Sequence, residues 1–394
     1  MTEQALIIKA LSDFLNGTKT FIPNDIDFEK LIETAREHRV EALLYFQAEN
    51  IPQNVPDFKH NFQLQFAGAT ANYARRTYFL KNVESAFNKA KIPFLIFKGI
   101  PIAELYPINQ LRTMGDVDIL VHPENKSEAG RILESLGLTL RDSGPNEWTY
   151  FDNSGLCYEL HSRLMNDETA NSPLHRTFLA SVWENAHNEN GNMRYSLDWN
   201  YHFVFLILHL RKHLINCGVG LRQFFDLAMV YKNCVLDFDV IFKDLEELGI
   251  YDFALKCFAL CEKWFNIKMP RSAKISDDFF ERATASVIAG GVFGYNNSEN
   301  MDNAVILNIN EHKNYKIKNF FASLFPSYKS IKDIPAYKSL NGRPLLLPLF
   351  WLYRFYYCIR HHKVKSGISG AVKPFNISNT TAKVRLEELK HWGL

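Results

Sequence analysis

The 394-residue sequence lacks both an excess of charge of one sign and a cysteine framework, and each absence excludes a class of protein. Its 45 Lys and Arg nearly balance 43 Asp and Glu, so no overall charge indicates a nucleic-acid-binding protein and any polyanion site must be local. Its six cysteines include no C-x-x-C pair, and Cys257 and Cys261 lie one helical turn apart among apolar neighbours. We therefore expect reduced thiols in the core.

A long apolar run and an export signal are also missing. The most apolar window, Pro344 to Ile359, is interrupted by Pro348 and Arg354 and is shorter than the ~20 apolar residues of a membrane-spanning helix. The N-terminus has an early acidic residue, Glu3, and no basic region followed by a cleavage site, so we expect no signal peptide. Together with the reduced cysteines, these absences predict a cytoplasmic protein without a transmembrane segment.

Apolar and aromatic residues are abundant, at 47% and 14% of the chain, which is typical of a globular protein. The length predicts two or three packed domains. Apolar positions recur at helical spacing over residues 1–90, short strands and a helix follow over 91–165, and helical spacing returns within 166–394. These boundaries predict a small α/β unit between an N-terminal and a C-terminal helical region.

The middle region contains the pattern that indicates chemistry. FLIFKG and GDVDILV are short apolar strands, PENKSEAGRILESLGL is a helix, and EWTYFD and GLCYELHS are further strand candidates. On the second strand Asp116 and Asp118 are two residues apart, so they project from one face while Val117 and Ile119 point to the other. Ionised carboxylates in an apolar setting are costly and repel each other, so a positive group is expected between them.

A third carboxylate, Glu159, lies on the later strand CYELHS, which could pair beside the aspartates. Three converging carboxylates bind hard divalent cations, and two such ions can hold a triphosphate and an attacking oxygen in line. Gly115 would let a backbone or a phosphate approach the start of the aspartate strand. His161 shares the face of Glu159, where it could contact phosphate or serve only as a structural histidine.

Four stretches together resemble a known family: FKGIPIAELYP, LRTMGDVDILV, YELHSRL and HLRKHLINCGVGLRQFFDLA. Over about residues 40–360, their K-G, R-x-x-G-D-x-D and acidic-x-His patterns are similar to the uncharacterised bacterial nucleotidyltransferase family of the DNA polymerase beta-like nucleotidyltransferase superfamily. The resemblance implies an α+β fold: a minimal nucleotidyltransferase core, with a small mixed β-sheet and helices, flanked by N-terminal and C-terminal helical regions. It also implies that Asp116, Asp118 and Glu159 hold Mg²⁺ (or Mn²⁺) and catalyse transfer of a nucleoside monophosphate from an NTP.

One position departs from the superfamily pattern, which usually has G-G or G-S where this chain has Gly99-Ile100. The serine that contacts the nucleotide's phosphates is therefore absent, and Lys98 or Arg112 could supply that contact. Together with Gly99, Gly115 and His161, these two residues are the predicted substrate-binding set. The acceptor stays open, because a small molecule, a sugar, a protein side chain or an RNA end would each be compatible with the sequence.

Two other functions would use the same residues. A phosphotransferase or hydrolase could employ the three carboxylates, and a non-catalytic nucleotide-binding module could keep the fold without turnover.

The aromatic segment that ends in the basic run RHHKVK has two interpretations. It could be a core helix with a solvated tail, which we favour, or it could contact a membrane surface or RNA.

The stretch HLRKHLINCGVGLRQFFDLA contains further candidates. His209 and His213 have the spacing of metal ligands, but without a glutamate between them we favour a core or supporting role. The intervening Arg211 and Lys212 could instead meet a polyanion. Arg222 could face the nucleotide, although we favour an interaction that braces its helix through the acidic residue one turn later.

Overall fold

The structure is a computed structural model that describes residues 1–50, 56–144, 147–165, 172–188, 191–216, 218–292, 321, 324–328, 342–360 and 387–394. A mixed sheet of seven strands lies at its centre. The strands are β1 (Phe94–Phe97), β2 (Asp118–Val121), β3 (Thr139–Ser143), β4 (Glu147–Phe151), β5 (Cys157–His161), β6 (Ala186–His187) and β7 (Arg194–Leu197). Their order across the sheet is β3, β4, β5, β2, β1, β7, β6.

Helices precede, interrupt and follow the strands along the chain. Those before the sheet are α1 (Glu3–Leu15), α2 (Phe28–Glu37), α3 (Glu41–Gln47) and α4 (Pro56–Ala90). Between strands lie α5 (Gly99–Ala103), α6 (Lys126–Ser135) and α7 (Pro173–Ala180). After the last strand come α8 (Trp199–Asn216), α9 (Leu221–Asn233), α10 (Phe238–Glu247), α11 (Tyr251–Phe265), α12 (Asp277–Gly290) and α13 (Leu347–Arg360).

Strand β2 lies in the middle of the sheet, antiparallel to β1 and parallel to β5. Its first residue, Asp118, pairs with Phe97 of β1 and with Glu159 of β5. Side chains of paired residues on adjacent strands point to the same face of a sheet. The pairing therefore brings Asp118 and Glu159 side by side, as expected from the sequence.

Both faces of the central strands are buried, which explains why β1 and β2 are apolar apart from Asp118. On one face, Phe94 and Ile119 belong to an apolar cluster that includes residues of α4 and α6. On the other face, Leu95 and Leu120 belong to a larger cluster formed with the N-terminal and C-terminal helices. Because Asp118 shares its face with Leu120, its carboxylate points toward the C-terminal helices.

The strands predicted for the middle region are confirmed as β1, β2, β4 and β5, and the α+β character of the fold is confirmed with them. Strand β2 begins at Asp118, so Asp116 lies just before the strand rather than on it. The expectation that residues 166–394 are helical is wrong for β6 and β7, and β7 pairs in parallel with β1. Strand β6 has only two residues, and the four residues of β7, RYSL, lack the apolar character that makes β1 and β2 recognisable. The division into domains at residues 90 and 165 stays a prediction.

Most of the apolar C-terminal window forms α13, and part of that helix is exposed. Leu349 and Leu352 are 62% and 67% exposed, so this face is not packed in the core as we favoured from the sequence. The basic residues 361–365 that follow it lie outside the described residues. Among the helices in the described ranges, none combines the length and apolar character needed to cross a membrane.

Two glycines in helices have opposite surroundings and test the packing of α6 on the sheet. A Cβ at Gly130 of α6 would lie 2.6 Å from the ring of Trp148, whereas a Cβ at Gly68 of α4 would meet nothing within 4 Å. Gly130→Ala should lower the free energy of unfolding by about 1–3 kcal/mol through overpacking. Gly68→Ala should raise it by about 0.5–1 kcal/mol, since alanine favours helix. Urea unfolding of both variants would check this, and a stabilised Gly130→Ala protein would contradict the close packing.

His38 connects the end of α2 to the start of α9. Its Nδ1 accepts a hydrogen bond from the Leu221 backbone N–H at 3.2 Å, and the residue is fully buried. Burial lowers the pKa of His38 from its ordinary value of 6.5 to about 4. The folded protein therefore holds this imidazole neutral at pH values where the unfolded chain protonates it.

This pKa shift predicts a loss of stability in acid. Neutral His38 makes its full contribution to the free energy of unfolding above pH 6.5. That contribution, about 3 kcal/mol, is lost as the pH falls from 6.5 toward 4. His38→Asn keeps an acceptor for the Leu221 N–H but does not titrate. Urea unfolding between pH 7 and 4 should therefore give a shallower loss of stability in the variant, and equal slopes would contradict a buried neutral His38.

Candidate active site

A cavity of about 300 Å³ lies between the sheet and helices α8 and α9. Its sheet side presents the carboxylates of Asp116, Asp118, Glu147 and Glu159, together with Lys98 and His161. Its helix side presents His209, Lys212, His213, Arg222 and Asp226. The structure thus gathers the predicted acidic residues and two of the three histidines of α8, His209 and His213, around one space.

Asp118 is buried, at 2% exposure, and is neutralised by two partners. The Lys98 ammonium donates to Asp118 Oδ1 at 2.8 Å, and His161 Nε2 lies 2.9 Å from the same oxygen. Burial would raise the pKa of Asp118, but Lys98 and His161 outweigh it and hold that pKa well below its ordinary value. Lys98 and His161 thus supply the positive charge beside Asp118, whereas a positive group between Asp118 and Asp116 stays a prediction.

Asp116 is in a different situation from Asp118, although both line the cavity. Burial and the nearby charge of Asp118 raise the pKa of Asp116, and Lys98 only partly opposes them. Among the described residues, no hydrogen bond or ion pair engages its carboxylate. Asp116 is thus a carboxylate that lacks a cation, whereas Asp118 already has one.

Glu159 and His161, two residues apart on β5, complete the cluster. Glu159 Oε2 lies 3.2 Å from His161 Nε2, and one ligand atom from each of Asp118, Glu159 and His161 lies within 4.8 Å of the others. Asp116 is not a member of this tight group but contributes a further carboxylate to the same cavity. Carboxylate oxygens are the ligands that Mg²⁺ and Mn²⁺ prefer, so the donor set fits a hard divalent cation.

Arg112, predicted to contact phosphate, is 5% exposed and bound to another partner. Its Nε and Nη2 each donate to Asp226 at 2.8 Å, and its Nη1 donates to the Gly99 carbonyl at 3.0 Å. Asp226 is therefore paired with Arg112 rather than with Arg222, the partner favoured from helical spacing. The two residues are 114 positions apart, so no local sequence pattern could reveal their contact.

Two further arginines bind the backbone that leads into the aspartates. Arg76 of α4 donates to the carbonyls of Met114 and Gly115, both at 2.8 Å, and Arg222 donates to the Thr113 carbonyl at 2.7 Å. Three successive carbonyls before Asp116 are thus held by guanidinium groups. Sequence reasoning missed Arg76, for which the available signal was a basic pair, RR, within an amphipathic helix.

The turn from β1 into α5 directs Lys98 toward Asp118. Lys98 has φ 61° and ψ −107°, a conformation that costs about 1–3 kcal/mol for a residue other than glycine. Its backbone N–H lies 3.3 Å from His202 Nε2, and its ammonium is bound to Asp118. At the next position a Cβ on Gly99 would lie 3.3 Å from Met114 Sδ, so glycine allows this turn to pack against the loop before Asp116.

His209 and His213 of α8 form a hydrogen-bonded pair. His209 Nε2 and His213 Nε2 lie 3.2 Å apart. Burial lowers the pKa of His213 to about 4 and that of His209 well below its ordinary value. Both rings are neutral near pH 7, so the N–H of one ring donates a hydrogen bond to the unprotonated nitrogen of the other. This arrangement agrees with the supporting role favoured from the sequence.

A family model described as an uncharacterised nucleotidyltransferase matches residues 24–266, which is more than half of the chain. The matched range contains all seven strands and every cavity residue described above. No protein with a curated description and no solved structure matches the chain.

Removing one partner of the buried ion pair between Arg112 and Asp226 should strongly lower the free energy of unfolding. Both side chains are at most 8% exposed, so Asp226→Leu alone should lower the free energy of unfolding by about 3–5 kcal/mol because it leaves a buried guanidinium unpaired. Adding Arg112→Met to that variant should restore part of the loss. Urea unfolding measures both, and Lys243→Ala, which removes an exposed ion pair with Glu247 on α10, is the control and should change stability by at most about 0.5 kcal/mol. A single variant as stable as this control would contradict the role of the pair.

Proposed function

Because the chain belongs to the uncharacterised nucleotidyltransferase family, we propose that it transfers a nucleoside monophosphate from an NTP to an acceptor hydroxyl or phosphate. The observation that supports this most is the convergence of Asp116, Asp118 and Glu159 on one cavity whose opposite wall is basic. The cations on one side suit the polyphosphate of an NTP, and the carboxylates on the other side suit divalent cations and the proton that the acceptor loses.

The proposed reaction exchanges one bond at the α-phosphorus of the NTP. The acceptor oxygen forms a bond to that phosphorus, the bond to the oxygen that bridges to the β-phosphate breaks, and pyrophosphate leaves. Glu159 is the proposed base for the acceptor's proton, since its carboxylate is partly exposed and lies beside Asp118. His161, 3.2 Å from Glu159, would steady that carboxylate.

Asp116, Asp118 and Glu159 would hold two divalent cations, Mg²⁺ or Mn²⁺. When bound, such ions would neutralise the triphosphate and make the attacking hydroxyl more acidic. Lys98 and Arg222 are the proposed phosphate donors, together with the backbone near Gly99 and Gly115. Arg112 would instead position the turn at Gly99 against α9, because its N–H groups already donate to Asp226 and to the Gly99 carbonyl.

A second candidate function, a nucleotide-binding module without turnover, is favoured by one observation. Ile100 occupies the place of the superfamily's usual glycine or serine, and its side chain is 2% exposed within an apolar cluster. It therefore offers no hydrogen bond to a phosphate.

We also propose that the protein acts in the cytoplasm. Cys157, Cys234, Cys257 and Cys261 are free thiols, and the last two are buried. Free thiols persist in reducing compartments.

The decisive variant is Asp116→Asn, because within the described ranges this carboxylate has no hydrogen-bond or ion-pair partner that the change would leave unpaired. With NTPs labelled at the α-phosphate, Mg²⁺ and a cell extract as the source of acceptor, the wild type should release pyrophosphate and label a product. Asp116→Asn should lower that activity by about 10²–10³-fold, while its melting temperature stays equal or rises because a repulsion with Asp118 is removed.

Asp142→Asn is the matched control, since Asp142 is an exposed aspartate on β3 outside the cavity. It should keep full activity. Orthophosphate in place of pyrophosphate would indicate a hydrolase or phosphotransferase instead. NTP binding without any product would favour the binding module.

A further inference from the structure

The cavity face of α8 contains a lysine whose role the proposed reaction does not explain. His209, Lys212 and His213 lie at positions i, i+3 and i+4 of α8, so they share one helix face, and all three line the cavity. The two histidines are neutral and hydrogen-bonded to each other. Within the described part of this helix face, Lys212 therefore supplies the positive charge.

Lys212 has no partner for its ammonium among the described residues. It is partly buried, and burial lowers its pKa, as does the charge of Lys98. Glu147, Asp118 and Glu159 act on it electrostatically, but none of them forms an ion pair with it within 4.0 Å. A partly buried cation without a counterion is unfavourable, and a bound anion would remove that cost.

The two cations of the helix side serve different ends of the cavity. Arg222 is bound to the Thr113 carbonyl and is influenced by Arg112, Asp226 and Asp116, which places it beside the loop before the aspartates. Lys212 is acted on instead by the charges of Lys98, Glu147, Asp118 and Glu159. Two of these residues, Glu147 and Glu159, pair across β4 and β5 on the side of β2 away from β1. Glu159 is the residue proposed to take the acceptor's proton, so Lys212 lies on the acceptor side.

We propose that Lys212 forms an anion subsite on the acceptor side, and that the acceptor is a hydroxyl compound carrying a phosphate group. This inference rests on the proposed nucleotidyl transfer and adds the chemical class of the acceptor. Phosphate could also come from the NTP itself, because its β- and γ-phosphates have the same chemistry. The two sources differ in whether the subsite is still available once the nucleotide is bound.

The test uses the full chain and inorganic phosphate as the probe. Phosphate is titrated calorimetrically into protein saturated with Mg²⁺ and a nonhydrolysable NTP analogue. The wild type should bind phosphate, Lys212→Met should bind it at least about tenfold more weakly, and Lys212→Arg should restore most of the affinity. The affinity of all three proteins for the NTP analogue should agree within about twofold, since the nucleotide does not use Lys212.

Arg211→Met is the matched control, because Arg211 is the adjacent basic residue of α8 and does not line the cavity. It should bind phosphate as the wild type does. An equal loss in both variants would indicate a general charge effect and overturn the subsite.

Three other results would overturn it. One is the absence of phosphate binding by the nucleotide-loaded wild type, and another is an unchanged affinity in Lys212→Met. The third is weaker binding of the NTP analogue in Lys212→Met, which would assign Lys212 to the nucleotide's own phosphates. If the wild type binds no NTP analogue at all, the proposed function fails separately, and the titration without analogue still decides whether Lys212 binds phosphate.

Discussion

The buried ion pair between Arg112 and Asp226 determines where the sheet and α9 meet. Neither charge could stay buried alone, so the loop before the aspartates must lie against α9, and the cavity is the space left between them. Arg76 from α4 and Arg222 from α9 bind the same loop from other directions. Apolar clusters pack the helices on the sheet, but these polar contacts set the position of Asp116 relative to the helices.

The two aspartates of the D-x-D pattern have pKa values shifted in opposite directions because their surroundings differ. Asp118 is paired with Lys98 and His161, so it is charged and ordered within the protein itself. Among the described residues Asp116 has no such partner, and it is harder to ionise. Two identical side chains, two residues apart, thus differ in that one is neutralised by the protein and the other is not.

Local sequence pattern was sufficient for strands β1, β2, β4 and β5 and for helix α6, because burial on one or both faces imposes a period that can be read directly. The pairing of Asp118 with Glu159 needed the family resemblance as well, because a local pattern assigns each residue to a strand but does not say which strands pair. Local pattern failed where a contact joins distant segments. Arg112 selects Asp226, 114 residues away, over any nearby carboxylate, and nothing in the chain near Arg112 encodes that choice. The short strands β6 and β7 were missed because they are strands by virtue of pairing with each other and with β1. Their own composition does not favour a strand.

The unusual backbone of Lys98 has a consequence for how the cavity could change during evolution. Its N–H is held near His202 and its ammonium by Asp118, so the turn is tethered at two points and strained between them. Substitutions of Lys98, His202 or Asp118 would disturb this tether. On the cavity face of α8, His209 and His213 depend on each other through their hydrogen bond, whereas Lys212 has no hydrogen bond or ion pair with any described residue. Position 212 is therefore a place where a substitution changes the cavity wall without disturbing the turn that holds Asp118.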